Sequence, residues 1–119
     1  MTKERSNMET LTNQDLEQFT CTEHYYKHWI SKTVYTDGVK HVADKAGAYW
    51  LIDAILSYNK TESFQLWKLV KTGTKAVLTM QEDIDTRVLV KQEIGYTDFP
   101  LDEIKFYLQN GVLLLPSEY

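Results

Sequence analysis

The sequence predicts an α+β domain: an antiparallel sheet of four to five strands packed against a buried central helix and a C-terminal helix. Three observations predict it. Residues 47–58, Gly-Ala-Tyr-Trp-Leu-Ile-Asp-Ala-Ile-Leu-Ser-Tyr, are apolar nearly all round with one carboxylate among them. A helix without a polar face must be covered on most sides. Residues 64–96 hold three strand-like runs separated by turn formers, and residues 98–111 read as a capped helix closed by Asn-Gly. Strands grouped together and helices grouped together argue against an alternating parallel fold.

Taken in order, residues 1–9 are charged and aperiodic and read as a flexible tail, leaving 10–119 as a single domain. A short amphipathic helix is expected over 12–18, where Thr12 precedes Asp15 at capping distance and Leu11, Leu16 and Phe19 supply the apolar side. Residues 25–34 are rich in aromatic and β-branched side chains and favour one strand. Thr36 or Asp37 then starts a helix carrying Val39, Val42, Ala43 and Ala46, with Gly47 as its end. Whether 38–58 is one bent helix or two is open at this stage. The central helix is expected over about 48–58, wrapped on nearly every side.

Strands are expected at 64–70, 76–81 and 88–96, joined as a meander by Lys71-Thr72-Gly73-Thr74 and by Asp83-Ile84-Asp85-Thr86. Asp98 would cap the last helix, Pro100 fits its first turn, and Leu101, Ile104 and Leu108 form its apolar stripe. A short strand at 112–115 is stopped by Pro116.

Composition bounds the function. A chain of 119 residues is long enough to bury a core without covalent staples. Its net charge of -4 and lack of any basic run argue against nucleic acid as a partner. One cysteine, Cys21, permits no internal disulfide, and no apolar run is long enough to span a bilayer. The expected setting is the cytoplasm, away from membranes. Eight Tyr and three Trp are many for so small a chain, and these side chains favour wet-edged cores or contact surfaces.

Four segments, Tyr35-Thr36-Asp37-Gly38, Ala48-Tyr49-Trp50-Leu51-Ile52-Asp53, Tyr96-Thr97-Asp98-Phe99-Pro100-Leu101 and Leu115-Pro116-Ser117-Glu118-Tyr119, resemble a family of small bacterial proteins known only as a domain of unknown function. The resemblance runs from about Leu11 to Tyr119. It implies a self-contained domain and brings no activity, ligand or site residue with it.

Candidate sites follow from chemistry. Asp53 is an isolated carboxylate in an apolar helix, so it must be paired, hydrogen-bonded or protonated. It shares a helix side with Tyr49 and Trp50, and His28 and Trp29 are the other binding candidates. Cys21, His24 and His28 have only His41 in place of a matched second pair, and on a strand His24 and His28 would lie too far apart for one ion, so no metal is expected. Glu82-Asp83-Ile84-Asp85 lacks the ligand count of a calcium loop. No Gly-x-Ser-x-Gly elbow and no phosphate-binding glycine loop occur, so neither a catalytic residue nor a cofactor is assigned. The expectation is a small cytoplasmic, non-enzymatic protein-interaction module, an accessory or inhibitor protein of a bacterium or mobile element. Its partner would be a protein, itself or another. The alternative is a small-molecule-binding domain or minor hydrolase with Asp53 in a pocket beside Tyr49 and His28.

Overall fold

A computed structural model of the chain describes residues 11–29, 31–58, 62–83 and 86–119. The tail expected over residues 1–9 lies outside the described residues. Helix α1 (Asn13–Glu17) is followed by β1 (Tyr25–Lys27), β2 (Val34–Thr36), α2 (Asp37–Ala46) and α3 (Tyr49–Ser57). Then come β3 (Phe64–Thr72), β4 (Lys75–Gln81), β5 (Val88–Ile94), β6 (Glu103–Gln109) and β7 (Val112–Leu114), and a 3-10 turn at Pro116–Glu118. The fold is α+β, as the grouping of elements predicts. No helix among the described residues is long and apolar enough to cross a membrane.

Among the described residues the sheet has seven strands, in the order β1-β2-β7-β6-β3-β4-β5. Every pairing is antiparallel except β2 with β7. The four or five strands expected are therefore too few, and the sheet is mixed. Two departures account for the difference. The strand expected over 25–34 is two short strands, β1 and β2, paired Tyr26 to Tyr35. The helix expected after Asp98 is strand β6, so there is no C-terminal helix. Ile104, Phe106 and Leu108 alternate at the strand period as well as Leu101, Ile104 and Leu108 recur at the helical one. Pairing decides between them: Phe106 sits opposite Trp67 and Ile104 opposite Leu69. Asn110 and Gly111, both at positive φ of 55° and 77°, form the tight turn between β6 and β7 rather than a helix end.

The region 37–57 is two helices. Thr36 caps α2 with its hydroxyl on the Val39 amide, and Gly47 closes it in the left-handed conformation. Helix α3 is less wrapped than its composition suggests. It buries Leu51, Ile52, Ile55 and Leu56 but leaves Tyr49 and Trp50 exposed, because its outer side is aromatic rather than charged. The core joins these helices to one sheet face, where Trp67, Leu69, Leu78, Met80, Phe106 and Leu113 are buried. Trp67 donates its indole N–H to Gln65 Oε1 at 2.8 Å, which satisfies two buried polar groups inside the layer.

Candidate functional site

Of the residues singled out in sequence, His28, Trp29 and Asp53 converge where the β1–β2 connection meets α3. His28 follows β1, and its backbone N–H donates to Thr33 O at 3.0 Å, closing the connection. Its imidazole is buried. The Ser31 backbone N–H donates to His28 Nδ1 at 3.0 Å. An amide N–H can only donate, so Nδ1 carries a lone pair and the ring hydrogen sits on Nε2. That Nε2–H donates to Asp53 Oδ1 at 2.8 Å. Trp29 donates its indole N–H to the same oxygen at 3.0 Å. Asp53 thus accepts from both side chains, and Trp29 is tethered although 76% of it is exposed.

Burial pushes the Asp53 carboxyl up, but the hydrogen bonds from His28 and Trp29 outweigh it and hold the group below its usual value. Asp53 is therefore a carboxylate at neutral pH. This resolves the cost of a lone acid in an apolar helix: the carboxylate lies at the surface margin with two donors.

A second polar and aromatic cluster adjoins it on β1, β2 and α2. The Glu23 and His24 amides donate to Asp37 Oδ2 at 2.9 and 3.3 Å, and the Tyr26 hydroxyl donates to Asp37 Oδ1 at 3.0 Å. The Glu23 amide bond is the chief reason that the Asp37 carboxyl lies below its usual value. The same Tyr26–Asp37 bond raises the Tyr26 phenol. The Tyr26 ring stacks on Tyr35 with centroids 5.8 Å apart, and Lys40 Nζ lies 5.4 Å from the Tyr26 centroid. Lys40 pairs with Asp44 at 2.7 Å, and Tyr49 donates its hydroxyl to Asp44. Burial first, and then this bond, push the Tyr49 phenol up to about 12. Tyr49 is thereby committed to Asp44 and does not join Asp53.

The chemistry of this surface is that of orientation. Both His28 nitrogens are engaged, one by an amide donor and one by a carboxylate, so the imidazole has no lone pair aimed at a substrate. The three histidines are drawn to three different acids: His24 to Asp37 at 3.8 Å, His28 to Asp53 at 2.8 Å and His41 to Asp15 at 3.9 Å. Among the described residues no group of three His, Cys, Asp or Glu side chains is placed to hold a metal ion.

Two of the clefts among the described residues differ in size and lining. The larger, about 490 Å³, is lined by Leu16, Glu17, Asp102, Ile104, Leu115 and Pro116 among others. The smaller, about 230 Å³, is lined by Trp50, Ile94, Tyr96, Thr97 and Asp98. Trp50 belongs to the second; Asp53, His28, Trp29 and Tyr49 line neither. Trp67, one of the aromatics that sequence alone could assign to a contact surface, is fully buried and belongs to the core. Sequence reading missed the Lys40–Asp44 pair, although its four-residue helical spacing was a usable signal. It also missed Tyr96 and Asp98 as surface residues, because Asp98 was read as a helix cap.

A model of the Family of unknown function (DUF6876) matches residues 10–119 of the chain. No curated protein and no solved structure matched it.

Proposed function

The chain belongs to this family of unknown function, from which no activity carries over, and from the site's geometry we propose a small non-enzymatic protein-interaction module of the bacterial cytoplasm, an accessory or inhibitor protein of a bacterium or mobile element. The observation that carries this reading is the tethering of exposed Trp29 by Asp53 at 3.0 Å. A large aromatic held in one orientation loses little rotational freedom on docking, which is how aromatic anchors gain affinity. Tyr25 is exposed on β1, four residues before Trp29, and Tyr49 and Trp50 are exposed on α3. Small ligands need a concavity that buries most of their surface. Trp29 lines neither cleft, and that favours a protein partner over a small molecule. The engaged nitrogens of His28 weigh against the hydrolase alternative. The cytoplasmic setting rests on the single cysteine of the sequence.

A photo-crosslinking residue in place of Tyr25, in cells, tests the reading. A discrete protein adduct that disappears on adding Trp29→Ala is expected, with the variant still folded. An adduct pattern indifferent to Trp29→Ala, from a chain that remains monomeric, overturns it.

A further inference from the structure

We propose that the cleft between α3 and the segment following β5 receives an arginine side chain of the protein partner, its guanidinium packed against Trp50 and Tyr96 and paired with Asp98. This rests on the interaction-module reading and names the chemistry of the partner. Three observations argue for it. The cleft's walls are aromatic at Trp50 and Tyr96, apolar at Ile94 and acidic at Asp98, and none of its lining residues is basic. Among the described residues Asp98 forms no ion pair, while Tyr96 is 71% and Trp50 37% exposed. The volume of about 230 Å³ falls below the roughly 300–1,000 Å³ of drug-sized sites, but it accommodates one long side chain.

The segment is built to present these groups. Thr97 is buried, with its N–H on Thr74 O at 2.7 Å and its hydroxyl accepting the Phe99 amide at 3.1 Å. Residues 96 and 98, either side of this inward anchor, are both exposed. In extended backbone such neighbours emerge on the same side. Aromatic faces attract cations through their quadrupole, and a planar guanidinium both stacks on rings and pairs with a carboxylate. The chain's net charge of -4 favours a cationic visitor at longer range. Trp50 lies three residues before Asp53 on α3, on neighbouring helix positions. An arginine in the cleft would therefore lie beside the surface that Trp29 anchors.

The test is a titration of the labelled chain by two-dimensional ¹H–¹⁵N NMR with N-acetyl-arginine amide, its neutral isostere N-acetyl-citrulline amide, and tetramethylammonium. Saturable shifts of the Trp50 indole and the Tyr96, Thr97 and Asp98 amides are expected with the arginine derivative. Citrulline should bind roughly two- to fivefold more weakly, the range for an exposed cation–π contact. Asp98→Asn should weaken the arginine derivative by a similar factor, and Tyr96→Leu likewise, with the remaining spectrum intact in both. Equal binding of citrulline, or no saturable shift at these groups, overturns the proposal. Tighter binding of tetramethylammonium than of the arginine derivative overturns it too, by assigning the cleft to a free quaternary ammonium. None of these outcomes bears on the Tyr25 cross-link, so failure of the cleft and failure of the Trp29 surface are read separately.

Discussion

Gly38 and Glu118 are separated by 80 positions and yet define one contact. The Gly38 amide at the start of α2 donates to Glu118 Oε2 at 3.1 Å. Glu118 Oε1 accepts the Thr36 hydroxyl at 2.6 Å and the Leu115 amide at 2.9 Å. The carboxylate therefore fills the amide-rich end of α2, where negative charge is favoured. A Cβ at Gly38 would lie 2.7 Å from Glu118 Oε1 and 2.7 Å from Leu115 Cδ1. The residue at position 38 has to be small because the chain's end is seated against it.

Gly38→Ala should accordingly destabilise the fold. Alanine is the better helix former by about 1 kcal/mol, which alone would stabilise α2. Here the added methyl must displace a carboxylate that three hydrogen bonds hold, at an overpacking cost of about 1–3 kcal/mol, so the net sign is loss. Urea denaturation measures it. Glu118→Ala should cost about 2 kcal/mol by itself, from charge-assisted bonds lost at a partly buried site. In that background Gly38→Ala should cost less than in the parent, because the obstructing oxygens are gone while Leu115 Cδ1 remains. Additive losses in the double variant would contradict the contact.

Asp53 makes stability depend on acid in a defined direction. Its folded carboxyl lies below the ordinary value of 3.8. A lowered group contributes stability that is present above the unfolded carboxyl's range and lost as pH falls through the folded one. The side chain is 47% exposed, so solvent screens the effect, and the charge-dependent part should stay below about 1 kcal/mol. Asp53→Asn retains an acceptor for His28 and Trp29 but removes the charge. The variant should be slightly less stable than the parent at pH 7, and the gap should narrow once the pH falls below the ordinary carboxyl value of 3.8. Denaturant midpoints at pH 7 and below that value check this.

The His28 tautomer is a separate expectation. Because the Ser31 amide donates to Nδ1, the ring should carry its hydrogen on Nε2 at neutral pH. Long-range ¹H–¹⁵N correlation of the imidazole reads this directly, and a protonated Nδ1 would contradict it. His28→Ala should cost about 2 kcal/mol, since it removes a buried ring and leaves a partly buried amide and a carboxylate short of partners. It should also free Trp29, raising the mobility of its indole in NMR relaxation.

Gln65 should be more important than a polar residue in a core usually is. It accepts the Trp67 indole N–H at 2.8 Å where both residues are fully buried. Gln65→Leu leaves that donor unpaired and should cost about 1–3 kcal/mol. Adding Trp67→Phe, which removes the donor, should recover part of the hydrogen-bond loss. The recovery is read as a coupling in a double-mutant cycle.

Local chemistry made much of this fold legible, and pairing partners account for what was not. The caps at Thr12 and Thr36, the close of α2 at Gly47 and the β3–β4–β5 meander each depend on residues adjacent in sequence, so composition and spacing suffice. The stretch 101–108 satisfies helical and strand periods together, and only its neighbour β3 selects the strand. The parallel pairing of β2 with β7 joins segments far apart in sequence and leaves no local mark. At the site, Asp53 stood out as a lone acid in an apolar helix, and the pocket reading grouped His28 with it; Trp29, the other donor, lies on a different element and nothing in the sequence tied it to Asp53. Glu118 was similarly invisible, because an acid near a chain end is ordinary until α2 is seen beside it.

The overlooked local signal was Asn110-Gly111, and it yields the last prediction. This dipeptide between two alternating runs is the signature of a two-residue hairpin whose central residues both need positive φ. Asn110 adopts 55° here, and the turn also holds the sheet's next strand through the Val34 amide on Gly111 O at 3.0 Å. Asn110→Ala should therefore cost about 1–2 kcal/mol, the penalty of the left-handed region for a side chain with no local hydrogen bonding. Asn110→Gly, which enters that region freely, should be within about 0.5 kcal/mol of the parent. The two substitutions differ by one methyl group on an exposed turn, so packing loss cannot explain a gap between them. A helix end at this position would tolerate glycine in the same way, and the distinction lies at a second site: Val34, whose amide depends on the turn. Hydrogen exchange at the Val34 amide should accelerate in Asn110→Ala and remain slow in Asn110→Gly. Equal exchange in both variants would mean that the β6–β7 turn does not support β2.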